Sequence, residues 1–547
     1  MQYVYAVFEL IAGLGAFLLG VKLLSDNMEK LATARLRNLF RKTSKSKLVG
    51  VGIGTVTTAI VQSSSLTTVM VVGLVNAGVM SLGQATTVIM GANIGTTITG
   101  QIAALQAFDF AAFATALAGV GVLVAMFSKK EKVCTVAYAV AGLGLVFIGL
   151  GLMAEAMTLV KQNQAVLDLF ASIENPFLLF FLGIAVTAIV QSSSAVTSIL
   201  ISMASAGIII GSGGNSVLFV ILGTNIGTCV TALISSIGAN TNAKRAAVIH
   251  LLFNVIGSII FFIILISWKD MMSMTLERWF PGLPSTQIAM FHTFFNVICT
   301  IIFLPFTNLF VKLSSLIVKE RRHKGDKSAE EPTRLDKRLL ATPVIAVDNA
   351  TEEALDVLKS ATQCLDNAVN AFLEQDATKS DDIVKDSEHI AERLQNIGDY
   401  LVQISAYDAT LELEKRITAL HSCIGDINRV GEVADNVTKY TRRAVKDGLH
   451  FSPKVKEEIR ALMDIINDMS VKSGEVLSNR DTAALGEIET FENNVDGKRK
   501  ELIKDHIKRL GSGECRPESS GVFINLVCNL ERVGDHLNYI AHTVESV

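Results

Sequence analysis

The sequence predicts an all-α chain in two parts. The first is a polytopic membrane protein with inverted-topology repeats and two re-entrant hairpins. The second is a soluble six-helix domain made of two three-helix bundles. Three observations carry this expectation. Long apolar runs fill the first 318 residues, where only about a quarter of the charged residues lie. The octet TAIVQSSS occurs twice, at 58–65 and at 187–194. From about Lys319 onward, apolar and charged residues recur at helical spacing.

A length of 547 residues allows roughly three or four domains. The opening MQYVYAVFELIAGLGAFLLGVKLL has neither a basic n-region nor a small-residue cleavage site, so it reads as a retained first helix and not a signal peptide. Apolar runs at 107–128, 134–160, 246–267 and 286–318 approach or exceed the ~20 residues that span a bilayer. The seven cysteines stand singly with no CxxC pair, which points to neither a disulfide framework nor a zinc site. A net charge of −3 gives no reason to expect a nucleic-acid partner.

The membrane part repeats internally. AGLG at 12–15 returns at 141–144, the same 129-residue offset that separates the octets, and at that offset Gly20 matches Gly149, Asp26 matches Glu155 and Met28 matches Met157. GANIGTT (91–97) corresponds to GTNIGTC (223–229) at an offset of 132, the extra residues falling in the GSGG loop at 211–214. Repeat 1 therefore occupies 1–133, and 134–318 holds repeat 2 and a final transmembrane helix. A charged linker follows at 319–343, then a helical domain at 344–547.

Basic loops at 34–47, 128–132, 243–245 and 319–324 set the orientation when placed in the cytoplasm. The segments 4–24, 107–128, 216–236 and 286–318 then run inward, and 84–104, 134–160 and 246–267 outward. The C-terminal domain becomes cytoplasmic. The stretches 48–80 and 177–210 are each cut by Gln-Ser-Ser-Ser into arms of about fifteen residues, short for a crossing. Each reads as a re-entrant hairpin, the first from the cytoplasm and the second from outside; two full crossings in place of either would leave its neighbours' orientation unchanged. Opposed halves with broken helices near the midplane are the design of secondary transporters.

In hydrocarbon, non-helical backbone is tolerated only against protein or a water-filled cavity. Gln62, Ser63, Ser64 and Ser65, with their copies Gln191, Ser192, Ser193 and Ser194, offer amide and hydroxyl groups there. Freed carbonyls suit a hard cation such as sodium, and helix N-termini suit an anion. Thr68 and Thr197 repeat the pattern, as do Asn93 and Thr96 with Asn225 and Thr228. An isolated Ser or Thr would be read as close helix packing; a duplicated polar run is not. HLLFN (250–254) resembles HTFFN (292–296), which places His and Asn four apart on one helix face, suited equally to function and to interhelix hydrogen bonds. No GxxxxGK[ST] segment and no nucleophile–base constellation occurs, so neither an ATP-driven pump nor an enzyme is expected.

With these residues in view, 5–315 resembles the bacterial relatives of the type II sodium–phosphate cotransporters. The resemblance rests on the paired QSSS motifs, the paired G-x-N-I-G-T segments (91–96 and 223–228) and RAAVIHLLFN (245–254). It implies phosphate as substrate and sodium as coupling ion, held where the two QSSS hairpins meet; Thr68, Asn93, Thr96, Thr197, Asn225 and Thr228 are expected to support that site. The second motif continues AVTS where the first continues LTTV, so the two sites are not equivalent.

The tail repeats too. NRVGEVADNV (428–437) aligns with ERVGDHLNYI (531–540), and EHIAE (388–392) with ENNVD (492–496). Oxygen-bearing side chains four apart share a helix face, and their repulsion is relieved by a cation. Six helices are expected, at about 347–375, 380–406, 410–446, 453–478, 481–510 and 518–545. The motifs look like those of a PhoU domain, with Glu531 and Asp535 matching its acidic signature and Asn428 replacing the leading acid before Glu432. That resemblance implies a divalent or iron-type metal on Glu388, Glu392, Glu432, Glu492, Asp496, Glu531 and Asp535.

The expected function is a sodium-coupled secondary transporter of inorganic phosphate in the cytoplasmic membrane, regulated by a cytoplasmic PhoU-like domain. Two rivals stand beside it: a phosphate exporter or efflux valve, and a phosphate-sensing membrane receptor that binds without translocating. Phosphate, sodium and the lipid bilayer are the expected partners. A second copy of the chain or a phosphate-signalling protein is compatible with the same reading.

Overall fold

A computed structural model of the chain describes residues 2–41, 46–107, 111–208, 210–211, 213–319, 334–406, 411–513 and 515–546. Most of the charged linker, at 320–333, and part of the first basic loop, at 42–45, lie outside the described residues. The described residues are helical throughout and contain no strand. They fall into two compact units, Met1–Ala341 and Thr342–Val547.

In the first unit, repeat 1 supplies α1 (Gln2–Arg41), α2 (Lys47–Val61), α3 (Ser64–Asn76), α4 (Leu82–Ala104) and α5 (Ala111–Phe127). Repeat 2 supplies α6 (Glu131–Lys161), α7 (Gln164–Ser172), α8 (Pro176–Val190), α9 (Ser193–Ser205), α10 (Ser216–Ser235) and α11 (Thr241–Ser267). After these come α12 (Pro284–Phe303) and α13 (Thr307–Ile317). Pro305, which has no N–H to continue a helix, sits in the 3₁₀ turn that divides the expected 286–318 segment.

Glycines let paired helices cross at backbone contact. A methyl group at Gly54 would lie 2.0 Å from the Val88 carbonyl oxygen, and one at Gly91 would lie 2.0 Å from that of Val51. At the matching positions of repeat 2, Gly183 and Gly223 approach the Val220 and Phe180 oxygens at 2.2 and 2.1 Å. Along the same interfaces Gly50 meets Thr87 and Gly95 meets Thr58, and in repeat 2 Phe180 meets Gly223 and Thr187 meets Gly227, so α2 runs parallel to α4 and α8 parallel to α10.

The long helices run in alternating directions. Gln101 donates to Thr293 (2.7 Å) and Thr300 donates to the Met90 carbonyl (3.3 Å), so α12 opposes α4. Phe253 meets Phe303 and Phe261 meets Phe291, so α12 also opposes α11. Asn254 reaches Cys229 while Ser258 reaches the Leu222 carbonyl, so α11 opposes α10. The repeated helices α4 and α10 therefore point in opposite directions.

Among the described residues, five helices are long and apolar enough to cross a membrane: Val4–Leu31, Glu131–Lys161, Ser216–Ser235, Thr241–Ser267 and Pro284–Ile317. The expected spans 84–104 and 107–128 are not among them. In α4, sixteen of 23 residues are buried in protein, so the helix can carry Thr, Asn and Gln where a lipid-facing span could not. The described part of α5 has 17 residues, below the ~20 of a full span. The helices α7 and α8 meet at a bend of 106°.

The second unit comprises α14 (Pro343–Glu374), α15 (Ser380–Ser405), α16 (Leu411–Lys446), α17 (Pro453–Asn479), α18 (Leu485–Gly511) and α19 (Pro517–His542). Their bounds lie within a few residues of the periodic segments. Pro343, Pro453 and Pro517 open their helices, where a missing N–H costs nothing. Gln375 and Arg480 close α14 and α17 in the left-handed conformation, the same device at the same place in each bundle. Buried Val, Leu and Ile form the seams, with ion pairs such as Arg416–Asp348 (2.5 Å) and Arg393–Glu353 (2.6 Å) at the edges.

Candidate functional site

Each Gln-Ser-Ser-Ser run joins two short helices through an unusual turn. Gln62 has φ 53° and ψ 21°, and Gln191 has φ 58° and ψ 21°. A non-glycine residue in the left-handed region costs roughly 1–2 kcal/mol, and strain of this kind collects at functional sites. The following Ser63 and Ser192 share φ −144° with ψ 107° and 105°. The two turns thus have one backbone. Each Gln N–H closes the preceding helix on the carbonyl of Thr58 or Thr187 at 2.7 Å. Each Ser63 or Ser192 hydroxyl caps the following helix, accepting from the Leu66 or Ala195 N–H at 3.2 Å. In repeat 1 the arms fold back on each other, for Thr58 donates to Thr67 across the turn at 3.0 Å.

The turn therefore brings a helix C-terminus and a helix N-terminus to one place. Ser64 and Ser65, like Ser193 and Ser194, open α3 and α9, and N–H groups there have no partner within the helix. Such a terminus attracts an anion. One turn further, the repeated Thr68 and Thr197 are buried, and neither hydroxyl has a partner. A buried hydroxyl without a partner costs about 1–3 kcal/mol, which a bound ligand or water would recover.

Asn93 and Asn225 sit alike on α4 and α10, each donating its amide to the carbonyl four residues back at 2.9 and 3.0 Å. Thr96 and Thr228 do the same with their hydroxyls. The four side chains are buried and oriented by their own continuous helices.

The two turns are connected through α4. Gln62 Oε1 accepts from the Thr99 hydroxyl at 2.9 Å. At the next residue, a methyl group on Gly100 would lie 3.9 Å from the Thr197 methyl and 4.0 Å from His292 Nδ1. His292 Nε2 stands 3.1 Å from Asn225 Oδ1. Because the Asn225 amide already donates to Ile221, the imidazole is the donor in that bond. Among the described residues no hydrogen bond joins 62–65 directly to 191–194; the linkage runs through Thr99–Gly100.

The repeats differ where their sequences differ. Ser25 donates to the Val61 carbonyl at 2.5 Å, and its counterpart Ala154 cannot. Val196 stands where repeat 1 has Thr67, which leaves the Thr187 hydroxyl unpartnered. Gln62 is 8% exposed, whereas Gln191 is exposed and Thr231, the counterpart of Thr99, has no partner. Sequence reasoning passed over Thr99 and Thr67. The offset of 132 between Thr99 and Thr231 was the available signal for the first, and Thr67 has no copy to give one. Both His/Asn pairs reach the repeated segment 223–229: His292 bonds Asn225, and Asn254 Nδ2 contacts Cys229 Sγ at 3.3 Å.

The metal site expected in the second unit is not supported. Among the described residues no group of three or more His, Cys, Asp or Glu side chains is placed to hold a metal ion. Basic and amide groups satisfy these acids instead. Glu432 accepts from Asn428 (2.8 Å) and Arg429 (2.6 Å), Glu492 from Asn538 (2.9 Å), and Asp496 pairs with Lys500 (3.4 Å). Glu531 lies 3.4 Å from Arg499 Nε. Glu388 and Glu392 are exposed, the latter 3.8 Å from His389. Glu388, Glu392, Glu432, Glu492, Asp496, Glu531 and Asp535 are accordingly read as helix-surface acids, and no step is routed through a metal.

Burial raises the pKa of both Glu531 and Asp535, and Asp496 adds repulsion to each. A raised carboxyl pKa means that the charged form costs stability at neutral pH, a cost lost as pH falls through the raised value. Asp535→Asn is therefore expected to raise the melting temperature at pH 7 by roughly 1–2 °C, and to leave it unchanged at pH 3. Calorimetry at the two pH values checks this; a lower melting temperature for the variant at pH 7 would contradict it.

Comparison with known proteins identifies the family. The Na+/Pi-cotransporter family matches residues 16–155 and 154–277, which carry one Gln-Ser turn each. The PhoU domain matches 459–544, the second three-helix bundle. "Putative inorganic phosphate export protein YjbB" of Escherichia coli K12 is 26% identical over 483 residues, covering 86% of each chain. "Uncharacterized protein YqeW" of Bacillus subtilis is 30% identical over 305 residues, 55% of this chain and 95% of that one. Human "Sodium-dependent phosphate transport protein 2B" is 47% identical over 73 residues, 13% of this chain and 11% of that one. With its two family segments, its duplicated turns and a relative matched over nearly its whole length, the chain belongs to the Na+/Pi-cotransporter family and carries a C-terminal PhoU domain.

Proposed function

We propose that the protein moves inorganic phosphate across the cytoplasmic membrane in exchange for the free energy of a sodium gradient, and that its PhoU domain, on the cytoplasmic side, adjusts the rate. The observation that carries this reading is the pair of identical Gln-Ser turns. Each sets helix carbonyls, suited to sodium, beside a helix N-terminus and hydroxyls suited to phosphate. Gln62, Ser63, Ser64, Ser65, Thr68, Asn93 and Thr96 form one half of the proposed site. Gln191, Ser192, Ser193, Ser194, Thr197, Asn225 and Thr228 form the other. Opposed halves let the same groups face either side of the membrane in turn.

The test is uptake of labelled phosphate into proteoliposomes with and without an imposed sodium gradient. Sodium-stimulated accumulation is expected; uptake indifferent to sodium would sink the coupling, and binding without accumulation would leave a receptor. Thr99→Val removes the donor that holds Gln62, and kcat/KM for phosphate is expected to fall roughly tenfold, the equivalent of one hydrogen bond.

The likeness to a protein named for phosphate export favours a second reading, efflux. Vesicles preloaded with phosphate separate the two. Export predicts release that proceeds without a sodium gradient, whereas a symporter's net flux follows the gradient in whichever direction it is imposed.

A further inference from the structure

The segment that leads out of the first unit is docked on the first hairpin. Leu339 is fully buried and Leu340 nearly so, in the short helical turn Lys337–Ala341. Leu339 lies against Gly73 of α3, where a methyl group would come within 2.9 Å of its Cδ2 and 3.4 Å of Arg338 Cβ. Any side chain at this position would make Leu339 shift. Arg338 reaches across to α10, donating from Nε to the Ser235 carbonyl at 2.5 Å and from Nη2 to the Ile237 carbonyl at 3.1 Å. A guanidinium on the last carbonyls of a helix also meets the negative end of its dipole. Asp336, 4% exposed, holds that guanidinium at 2.9 Å and accepts from the Arg338 N–H at 2.8 Å. The segment thus ties the returning arm of hairpin 1 to a helix of the other repeat.

Among the described residues, repeat 2 shows no such tie to the chain's tail. There Ser202 replaces Gly73, and the end of α9 is met by Ser285 at the start of α12, which bonds Ser205 at 2.6 Å. On hairpin 1 the end of α3 is also met at Asn76, bonded by Asn240 at 2.7 and 2.8 Å. The second unit begins at Thr342, the residue after the docked segment.

We propose that Asp336–Ala341 is a strap that pins hairpin 1 against α10 and brakes transport, and that the C-terminal domain sets the flux by drawing this strap off. The proposal rests on the transporter reading above for its flux readout, but the docking is measured separately. Movement of hairpin 1 is needed to open its turn to one side, and a strap packed on α3 and bonded to α10 opposes that movement. The covalent link from Ala341 to Thr342 gives the domain its hold on the strap.

Two arms test this with the full-length chain. In proteoliposomes, Arg338→Ala and Leu339→Ala are expected to raise phosphate flux about tenfold, the shift produced when bonds worth about 1.4 kcal/mol are removed. Flux at or below the wild-type rate in both, with melting temperatures unchanged, overturns the brake. In detergent, Leu339→Cys is labelled with N-ethylmaleimide and the labelled peptide read by mass spectrometry. Slow labelling that speeds when Gly73→Leu is added is expected; labelling at the rate of a free thiol in both proteins overturns the docking. A wild-type protein that passes no phosphate sinks the transporter reading instead, and the labelling arm still decides the strap.

Discussion

Ser64→Ala combined with Ser193→Ala is expected to abolish most phosphate transport while leaving the protein folded. The two hydroxyls open α3 and α9 and are buried, at 7% and 4% exposure. Neither is the helix cap, a role held by Ser63 and Ser192. Removing them therefore spares local structure and deletes donors from the place where two helix N-termini meet the proposed anion. A hydrogen bond to a charged group is worth about 1.5–3 kcal/mol. Losing two lowers kcat/KM by roughly a hundredfold or more, since each 1.4 kcal/mol is a factor of ten. Labelled-phosphate uptake in proteoliposomes, alongside thermal unfolding of the same preparations, separates lost transport from lost fold. Wild-type uptake by the double variant would remove these turns from the pathway.

Gly91→Ala should have the largest effect on stability. The new methyl group would sit 2.0 Å from the Val51 carbonyl oxygen, and backbone cannot move aside as a side chain can. The α2–α4 crossing must widen by more than an ångström, at a cost of about 1–3 kcal/mol or more. Because α2 ends at Gln62, the turn shifts with it. Gly223→Ala repeats the experiment in the second half, where the Phe180 oxygen lies at 2.1 Å. Gly83→Ala is the control, having open space around it. Size-exclusion profiles and melting temperatures in detergent are the measurements. A Gly91→Ala protein as stable as the Gly83→Ala control would mean that these helices do not cross at backbone contact.

Much of the membrane half was legible because duplication marks it. The matched octets located both turns, and the two offsets paired Asn93 with Asn225 and Thr96 with Thr228 before any contact was known. Helix content and the six segments of the second unit followed from periodicity, since apolar residues every three or four positions have one economical backbone. Hydropathy alone is a poor guide to α4. It treats every residue as facing lipid, whereas Thr86, Asn93 and Thr99 face protein. The acids of the second unit were misread for a related reason. Spacing on one helix shows which carboxylates share a face but not that Arg499, Lys500 and Arg429 arrive from elsewhere on the chain or the next turn to neutralise them.

What the residues determined alone is the duplication, the helical backbone and the chemical inventory of the turns, because these depend on neighbours within one helical repeat or on identity at a fixed offset. Tertiary structure decided the rest. It set Gln62 against Thr99 and left Gln191 exposed, although both stand in the same octet, because the partners come from distant segments: Thr99 on α4 bonds Gln62 and Ser25 on α1 bonds the adjacent Val61 carbonyl, whereas Ala154, the counterpart of Ser25, offers no hydroxyl. It put His292 on Asn225 and Leu339 on Gly73, contacts across 67 and more than two hundred residues that no local pattern encodes. Identical turns acquire different surroundings because burial and hydrogen-bond partners belong to the packed fold and not to the octet that both repeats spell.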